Sequence, residues 1–251
     1  MFVPQILRFE SLPSTNLEAA RLAAEGADEG LCVLAREQTA GRGRLQRQWI
    51  SPKDAGLYFS IVLRPRFEQS AWSLLTLMAA VAVHDVLLDA CGVEADIKWP
   101  NDLLVNEKKI CGILAETVET PAGRAVVVGI GINLTRHSLP ENLPVEATSV
   151  ETVNGRTDQF EILPAALIAA LGKYYVMLNE PEGREKILQA WRMRSSYPEG
   201  KVVRVIESGQ SFVGTTRGLE GDGALRVETS DGKIRVVRAG DVTNLRPELE
   251  S

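Results

Sequence analysis

Histidine and cysteine are scarce in this chain of 251 residues. The two histidines, His84 and His137, lie far apart and suggest neither a metal site nor a catalytic triad. The three cysteines, Cys32, Cys91 and Cys111, are odd in number and scattered, so they give no disulfide framework and no Cys-x-x-Cys metal spacing. A reducing compartment, the cytoplasm, fits that usage. The amino terminus, "MFVPQILRFE", lacks a basic start followed by a long apolar run, which argues against a signal peptide. The longest apolar stretch, "LLTLMAAVAVHDVLL", is interrupted by His84 and Asp85; it reads as a buried helix too short to span a membrane. No G-x-x-x-x-G-K-[ST] loop occurs, which excludes a P-loop nucleotide site. Positive charge is not in excess either. A formal net charge of −5 disfavours bulk binding to DNA or RNA, because neutralising phosphates needs a basic face. Any anion site must be local.

What is present is ordinary globular material, 45% hydrophobic and 24% charged. "STNLEAARLAAE" reads as an amphipathic helix from Ser14 to about Glu25, capped by Ser14 or Thr15 and stopped by Gly26. "LCVLARE" (31–37) and "GLYFSIVL" (56–63) are strand-like. A long helix is expected from Ser70 to about Ala90. "ADIKWPNDLLV" and "KKICGILAETVE" read as paired strands joined by a turn at Asn106-Glu107, and "RAVVVGIGINL" (124–134) as a further strand. "FEILPAALIAALGKYYVML" and "REKILQAWRM" read as helices. From about Ser195 the pattern changes to short strands separated by glycine turns, "KVVRVIE", "SFVGTTRGL", "ALRVET" and "KIRVVRA", which suggests a small barrel domain.

Against a negative net charge, "AGRGRLQRQW" (40–49) stands out. The run can be a solvated surface loop, or a clamp on an anion. Glycine lets backbone N–H groups approach a ligand, and arginine offers a planar fork to phosphate or carboxylate. In the second reading Gly41, Arg42, Gly43 and Arg44 wrap a small anionic ligand, and Trp49 covers its apolar part. "KWPNDLLVNEKKICGI" brings Lys98, Asn101 and Asp102 to one strand–turn junction, with Lys109 on the partner strand. Here too there are two readings: solvated lysines with Asp102 capping a turn, or a phosphate site with Asp102 available to Mg2+. "GIGIN" (129–133) is a glycine-rich strand end, weak as a signal by itself.

Taken together, "STN" (14–16), "QTAGRGRLQRQW" (38–49), "KWPNDL" (98–103), "KKICGILAE" (108–116), "GIGIN" (129–133) and "ATSV" (147–150) resemble the biotin–protein ligase family in order and approximate spacing. The resemblance covers essentially the whole chain. It implies an α+β fold: a mixed β-sheet catalytic domain with packed helices, of the class II aminoacyl-tRNA synthetase and biotin ligase type, over residues 1–195. An SH3-like β-barrel is expected over 196–251. It implies a two-step reaction, in which biotin and ATP give biotinoyl-5′-AMP and pyrophosphate, and a lysine of a biotin carboxyl carrier protein then takes the biotinoyl group. By position, Ser14, Thr15, Asn16, Gln38, Gly41, Arg42, Gly43, Arg44, Lys109, Gly112 and Gly129 would serve biotin. Arg44, Trp49, Lys98, Asn101, Asp102, Lys109 and Asn133 would serve ATP, with Arg44, Lys109 and Asp102 as the catalytic set. Asp102 would either bind Mg2+ or orient the attacking lysine of the carrier.

Two departures matter. Relatives that also repress transcription carry a helix-turn-helix domain ahead of this region, and here Ser14 falls so early that a ligase without a DNA-binding domain is expected. Cys111 stands where a small residue is expected and reads as a small buried hydrophobe; the thiol of some octanoyl and lipoyl transferases is the competing reading. Rival functions are a lipoate–protein ligase type of acyl-adenylating enzyme and a biotin-responsive binding protein without turnover. No membrane partner is expected, and monomer and homodimer both stay open.

Overall fold

The computed structural model describes residues 3–139, 146–157, 160–207 and 209–244; the expected barrel's last residues, 245–251, lie outside the described residues. In chain order the elements are β1 (Gln5–Phe9), α1 (Thr15–Ala24), β2 (Leu31–Ala35), β3 (Gly56–Leu63), α2 (Leu74–Cys91), β4 (Asp96–Lys98), β5 (Asp102–Val105), β6 (Lys108–Thr120) and β7 (Gly123–Asn133). Then follow α3 (Val150–Asn154), α4 (Leu163–Leu178), α5 (Gly183–Arg192), β8 (Glu199–Glu207), β9 (Gln210–Leu219), β10 (Leu225–Thr229), β11 (Ile234–Val237) and β12 (Asp241–Asn244).

A seven-stranded sheet runs in the order β1-β2-β3-β7-β6-β5-β4. Only its β1–β2 pair is parallel, so the sheet is mixed, as expected. Side chains on a strand alternate between faces. One face of this sheet, with Phe59, Ile61, Cys111, Ile130 and Ile132, packs on α2, α4 and α5 in the main core. The other face is divided. Its β2, β3 and β7 portion, including Val33, Val62, Ala125 and Val127, packs on Ala19 and Ala23 of α1. The remainder of that face carries the glycines of the next section.

Helix α2 corrects one expectation. Together with the short turn before it, the helical stretch Gln69–Cys91 is long and apolar enough to cross a membrane by length and composition alone. Its place is nevertheless the core, because hydrophobic residues on every side of it are buried by the sheet and by neighbouring helices. Two strands were not legible beforehand: β1 and β12, both at sheet edges. "ADIKWPNDLLV" is not one strand but two, β4 and β5, broken by the turn at Trp99-Pro100-Asn101. The expected turn at Asn106-Glu107 is there, with both residues at positive φ (50° and 64°), the backbone of a type I′ hairpin turn.

The second sheet is antiparallel and five-stranded, in the order β11-β10-β9-β8-β12. Among the described residues β11 and β12 are not paired to each other, so the barrel is not closed. Trp99 ties it to the first sheet: its buried indole Nε1 donates to Gly223 O at 3.0 Å. Ser73, at the start of α2, donates to Asp222 O of the same turn at 2.5 Å. Trp191 is fully buried in the core, and Trp72 packs against that core.

A polar knot holds β4, and with it the Trp99 turn, in position. Asp85 on α2 accepts from Arg194 Nε (2.6 Å) and Nη2 (3.1 Å), and from the Tyr174 hydroxyl of α4; His84 Nδ1 lies 3.2 Å away. Burial alone would raise the Asp85 pKa, but these partners outweigh it and hold the carboxyl below its usual range. Arg194 O in turn accepts from Ile97 N at 3.0 Å, and the Ser195 hydroxyl donates to Ile97 O at 2.5 Å. The Asp85→Asn variant leaves a half-buried guanidinium without its counter-ion. It should lose roughly 2 kcal/mol of stability, read as a lower urea midpoint at unchanged slope.

Candidate active site

Strand register explains why the segments singled out above converge. Lys98 pairs with Asp102, Asp102 with Gly112, and Gly112 with Gly131. Cross-strand partners share a face, so these four form one row across β4, β5, β6 and β7. The next row holds Leu114, Gly129 and Ser60. Three glycines thus form a floor on the divided face. An irregularity between Leu103 and Leu104 pairs Leu103 with Cys111 but Leu104 with Lys109, leaving Ile110 as the extra residue of a bulge. That bulge turns Lys109 onto the glycine side, a common use of the device. Lys109 Nζ then reaches Asp102 Oδ1 at 2.7 Å.

The floor leaves no room for side chains. A Cβ on Gly129 would lie 2.0 Å from Asn16 Oδ1, and one on Gly131 would lie 2.5 Å from the Trp49 indole. One on Gly112 would meet both Trp49 (3.0 Å) and Lys109 Nζ (3.1 Å). Trp49 therefore lies on the Gly112–Gly131 pair, with Lys109 Nζ 5.3 Å from its ring centroid. Its buried Nε1 has no acceptor among the described residues.

At one end of the floor a polar network gathers the residues of "STN". Gln38 Oε1 accepts from Thr15 N (2.8 Å) and Thr15 Oγ1 (3.1 Å), and Gln38 Nε2 donates to Ser51 Oγ (2.8 Å). The fully buried Ser60 hydroxyl lies between Thr15 Oγ1 (2.8 Å) and Asn16 Oδ1 (2.6 Å). Asn16 Nδ2 donates to Leu114 O (3.2 Å) and Glu116 Oε2 (2.9 Å). Ser14 is buried at the N-cap of α1 but makes no side-chain cap bond. At the far end Asn133 Nδ2 donates to Thr148 O (3.1 Å), which fastens the "ATSV" segment beside Lys109.

The basic run is not an open loop. Arg42 pairs with Gln48, Trp49 N donates to Gly41 O (2.9 Å), and Gly43 N donates to Arg47 O (2.7 Å), so the segment is a hairpin. Gly41 is required by close approach, since a Cβ there would lie 2.2 Å from Trp49 O. Arg42 pairs with Glu116 at 2.9 Å. Arg44 donates to Asn101 Oδ1 (2.9 Å) and Gly240 O (3.2 Å), while Asn101 Nδ2 is fixed by Ile113 O (3.0 Å). Arg47 forms an ion pair with Asp241 of β12.

These contacts gather positive charge faster than they balance it. Arg44, Arg47, Lys98 and Lys109 face the carboxylates of Asp102 and Asp241. Burial pushes Lys98 below the usual lysine range; Asp102 and Asp241 offset this only in part, and Lys109 and Arg47 add to it. Burial likewise lowers Arg44, against Asp241 and Asp102. Such a surplus suits an anionic ligand. Among the described residues no three His, Cys, Asp or Glu side chains converge as a metal cage.

All the residues singled out from the sequence fall within this one region, but several that complete it were missed. Ser60 was visible as the polar residue of an apolar strand, and Gly131 as the alternate glycine of "GIGIN". Ser51 and Asp241 act through partners distant in sequence and carry no local signal; Arg47 and Glu116 lie inside segments already singled out, but their partners Asp241, Arg42 and Asn16 are distant in sequence or on other elements. Cys111 faces the opposite, fully buried core, and burial drives its thiol pKa upward, which disfavours the nucleophile reading.

Comparison with known proteins agrees with this geometry. Residues 8–133 match the biotin/lipoate A/B protein ligase family and residues 200–243 the biotin protein ligase C terminal domain. The chain is 38% identical over 239 residues to the biotin–[acetyl-CoA-carboxylase] ligase of Paracoccus denitrificans, covering 91% of this chain and 96% of that one. It is 35% identical over 243 residues to the bifunctional ligase/repressor BirA of Bacillus subtilis, covering 94% of this chain and 73% of the relative. The Aquifex aeolicus biotin protein ligase, solved in complex with biotin and ATP, superposes with a TM-score of 0.81 at 26% identity, over 98% of this chain and 100% of that one. The chain belongs to the biotin/lipoate A/B protein ligase family, on its biotin protein ligase branch.

Proposed function

We propose that this chain is an ATP-dependent biotin–protein ligase acting in the cytoplasm on the carrier domain of a biotin-dependent carboxylase, such as the acetyl-CoA carboxylase named for its Paracoccus relative. The observation that carries the reading is a surplus of half-buried cations beside a glycine floor. In the first step a carboxylate oxygen of biotin attacks the α-phosphorus of ATP, and pyrophosphate leaves. Two anions must be brought together for that, and preorganised cations lower the cost. Lys109 and Arg44 serve the reacting carboxylate and α-phosphate, and Lys98 the leaving phosphates. Mg2+ would be held by the ATP phosphates with Asp102 as the one protein carboxylate within reach, since no group of three acidic, His or Cys side chains is found among the described residues, and it would supply further neutralisation of the phosphate charge. In the second step the ε-amine of the carrier lysine attacks the acyl carbon and AMP leaves. Ser14, Thr15, Asn16 and Gln38, organised by Ser60, Ser51 and Glu116, take the polar groups of biotin; Trp49 and Asn133 take the adenylate. In this reading residues 1–195 form the catalytic domain and 196–251 the accessory barrel.

The direct test is mass spectrometry of a carrier domain after incubation with the protein, biotin and Mg-ATP. Addition of one biotinoyl group to a single lysine, with biotin rather than lipoate as the competing acid, is the expected result. Lys109→Ala removes a charge-assisted contact of roughly 1.5–3 kcal/mol, so pyrophosphate release should fall about 10- to 100-fold. A folded variant with parental release would overturn the role of Lys109. Arg44→Gly removes the link to Asn101 and Gly240; adenylate should still form but escape, labelling serum albumin lysines that the parent leaves unmodified. Lys98 is protonated below its lowered folded pKa, so its charge is present at low pH and lost as pH rises through that value. ATP affinity should therefore decline on the alkaline side at a lower pH than an ordinary lysine would give. Lys98→Arg should flatten that decline in a calorimetric titration.

A further inference from the structure

The tip of the arginine hairpin is strained. Leu45 (φ 54°) and Gln46 (φ 63°) are both left-handed, at the two central positions of a turn closed by Arg47 N→Arg44 O at 3.1 Å. This is a type I′ turn, which favours Asn-Gly and disfavours a leucine at its first central position. Leu45 is 66% exposed, so its side chain packs on little that would hold it there. Whatever keeps the turn in this form must act through the residues on either side of it. Those are Arg44 and Arg47, and both end on one short segment of the second sheet. Arg44 donates to Gly240 O and Arg47 pairs with Asp241. The segment is itself fixed, because Asp241 is registered against Ile206 of β8, and a Cβ on Gly240 would lie 2.7 Å from Ile206 O. The hairpin's other side is held separately, by Arg42 on Glu116, which also holds Asn16.

We propose that Asp241 is a positioning residue for the ligase reaction: from the barrel it clasps the arginine hairpin through Arg47, and so sets the nucleotide side of the site and the lifetime of the adenylate. The inference rests on the ligase reading. It divides the hairpin's work. Glu116 couples Arg42 to the biotin end, and Asp241 couples Arg47 to the phosphate end. It also gives the barrel a part in the first chemical step, before any carrier arrives.

The test uses the full chain with Asp241→Asn, Arg47→Gln and the charge swap Arg47→Asp/Asp241→Arg. Without ligands, tryptic cleavage after Arg44 should run about fivefold faster in both single variants, the order expected for loss of a partly exposed ion pair, and return to the parental rate in the swap. With ligands, the KM for ATP should rise by a similar factor while the KM for biotin stays within about twofold. Adenylate should leave faster, and the swap should restore both. A merely structural residue would lower kcat or stability without separating the two substrates. Parental cleavage and parental KM for ATP in Arg47→Gln would overturn the proposal, as would a swap that folds yet restores neither. Arg47→Gln keeps the test decisive if the Asp241 variant fails to fold. If the parent releases no pyrophosphate from biotin and Mg-ATP, the ligase reading fails instead, and the cleavage rates still decide whether the clasp exists.

Discussion

Positive charge held in a half-buried place without enough negative charge is the constraint from which most of this structure follows. Lys98 and Arg44 are both withdrawn from water, and each is pulled below its ordinary pKa by that burial. Such charges are costly unless paired. The fold meets part of the cost with Asp102 and Asp241. In the proposed ligase reading the bound carboxylate and polyphosphate meet the rest, so that binding energy is available at the reacting groups rather than being consumed in folding. The overall negative charge of the chain does not conflict with this, because the surplus is confined to a few residues.

The sheet provides the means of confinement. Its helix-covered face makes the core continuous under α2, α4 and α5, and this frees the other face to be only partly covered. On the free portion, cross-strand pairing puts Lys98, Asp102, Gly112 and Gly131 into one row, so a charge cluster and a flat floor arise from register alone. The bulge at Ile110 adds Lys109 to the same side. A one-residue slip would send every one of these groups to the opposite face. The polar knot around Asp85 therefore supports the row from outside it, because it pins β4, the edge strand that starts the row.

Elements with a strong local pattern were legible in the sequence. "GLYFSIVL" marks β3 to the residue, and the helix from Leu163 to Leu178 lies inside the expected stretch. The residues of the site were legible for a different reason: glycine and arginine in alternation, and lysine with aspartate in an apolar strand, are combinations that folding alone does not ask for. What stayed hidden depends on pairing over distance. β1 and β12 are short edge strands defined by their neighbours. The basic run was expected as a loop, yet it is a hairpin, because its turn residues, Leu45 and Gln46, are ones that no turn rule would select. Ser51, Glu116 and Asp241 become part of the site only through Gln38, Asn16 and Arg47. The closure expected of the barrel is not reached, since nothing described joins β11 to β12.

The position of Trp49 has an optical consequence. Indole emission responds to nearby charge and to the polarity around the ring, and this ring lies on bare backbone with an ammonium group 5.3 Å from its centroid. Trp99 and Trp191 are enclosed in the interior, and Trp72 packs at its margin, so their surroundings are set by the fold. The hairpin thus carries its own chromophore. Any event that lifts Trp49 from the glycines, or moves Lys109 away from it, is written into the intrinsic fluorescence of the unlabelled protein.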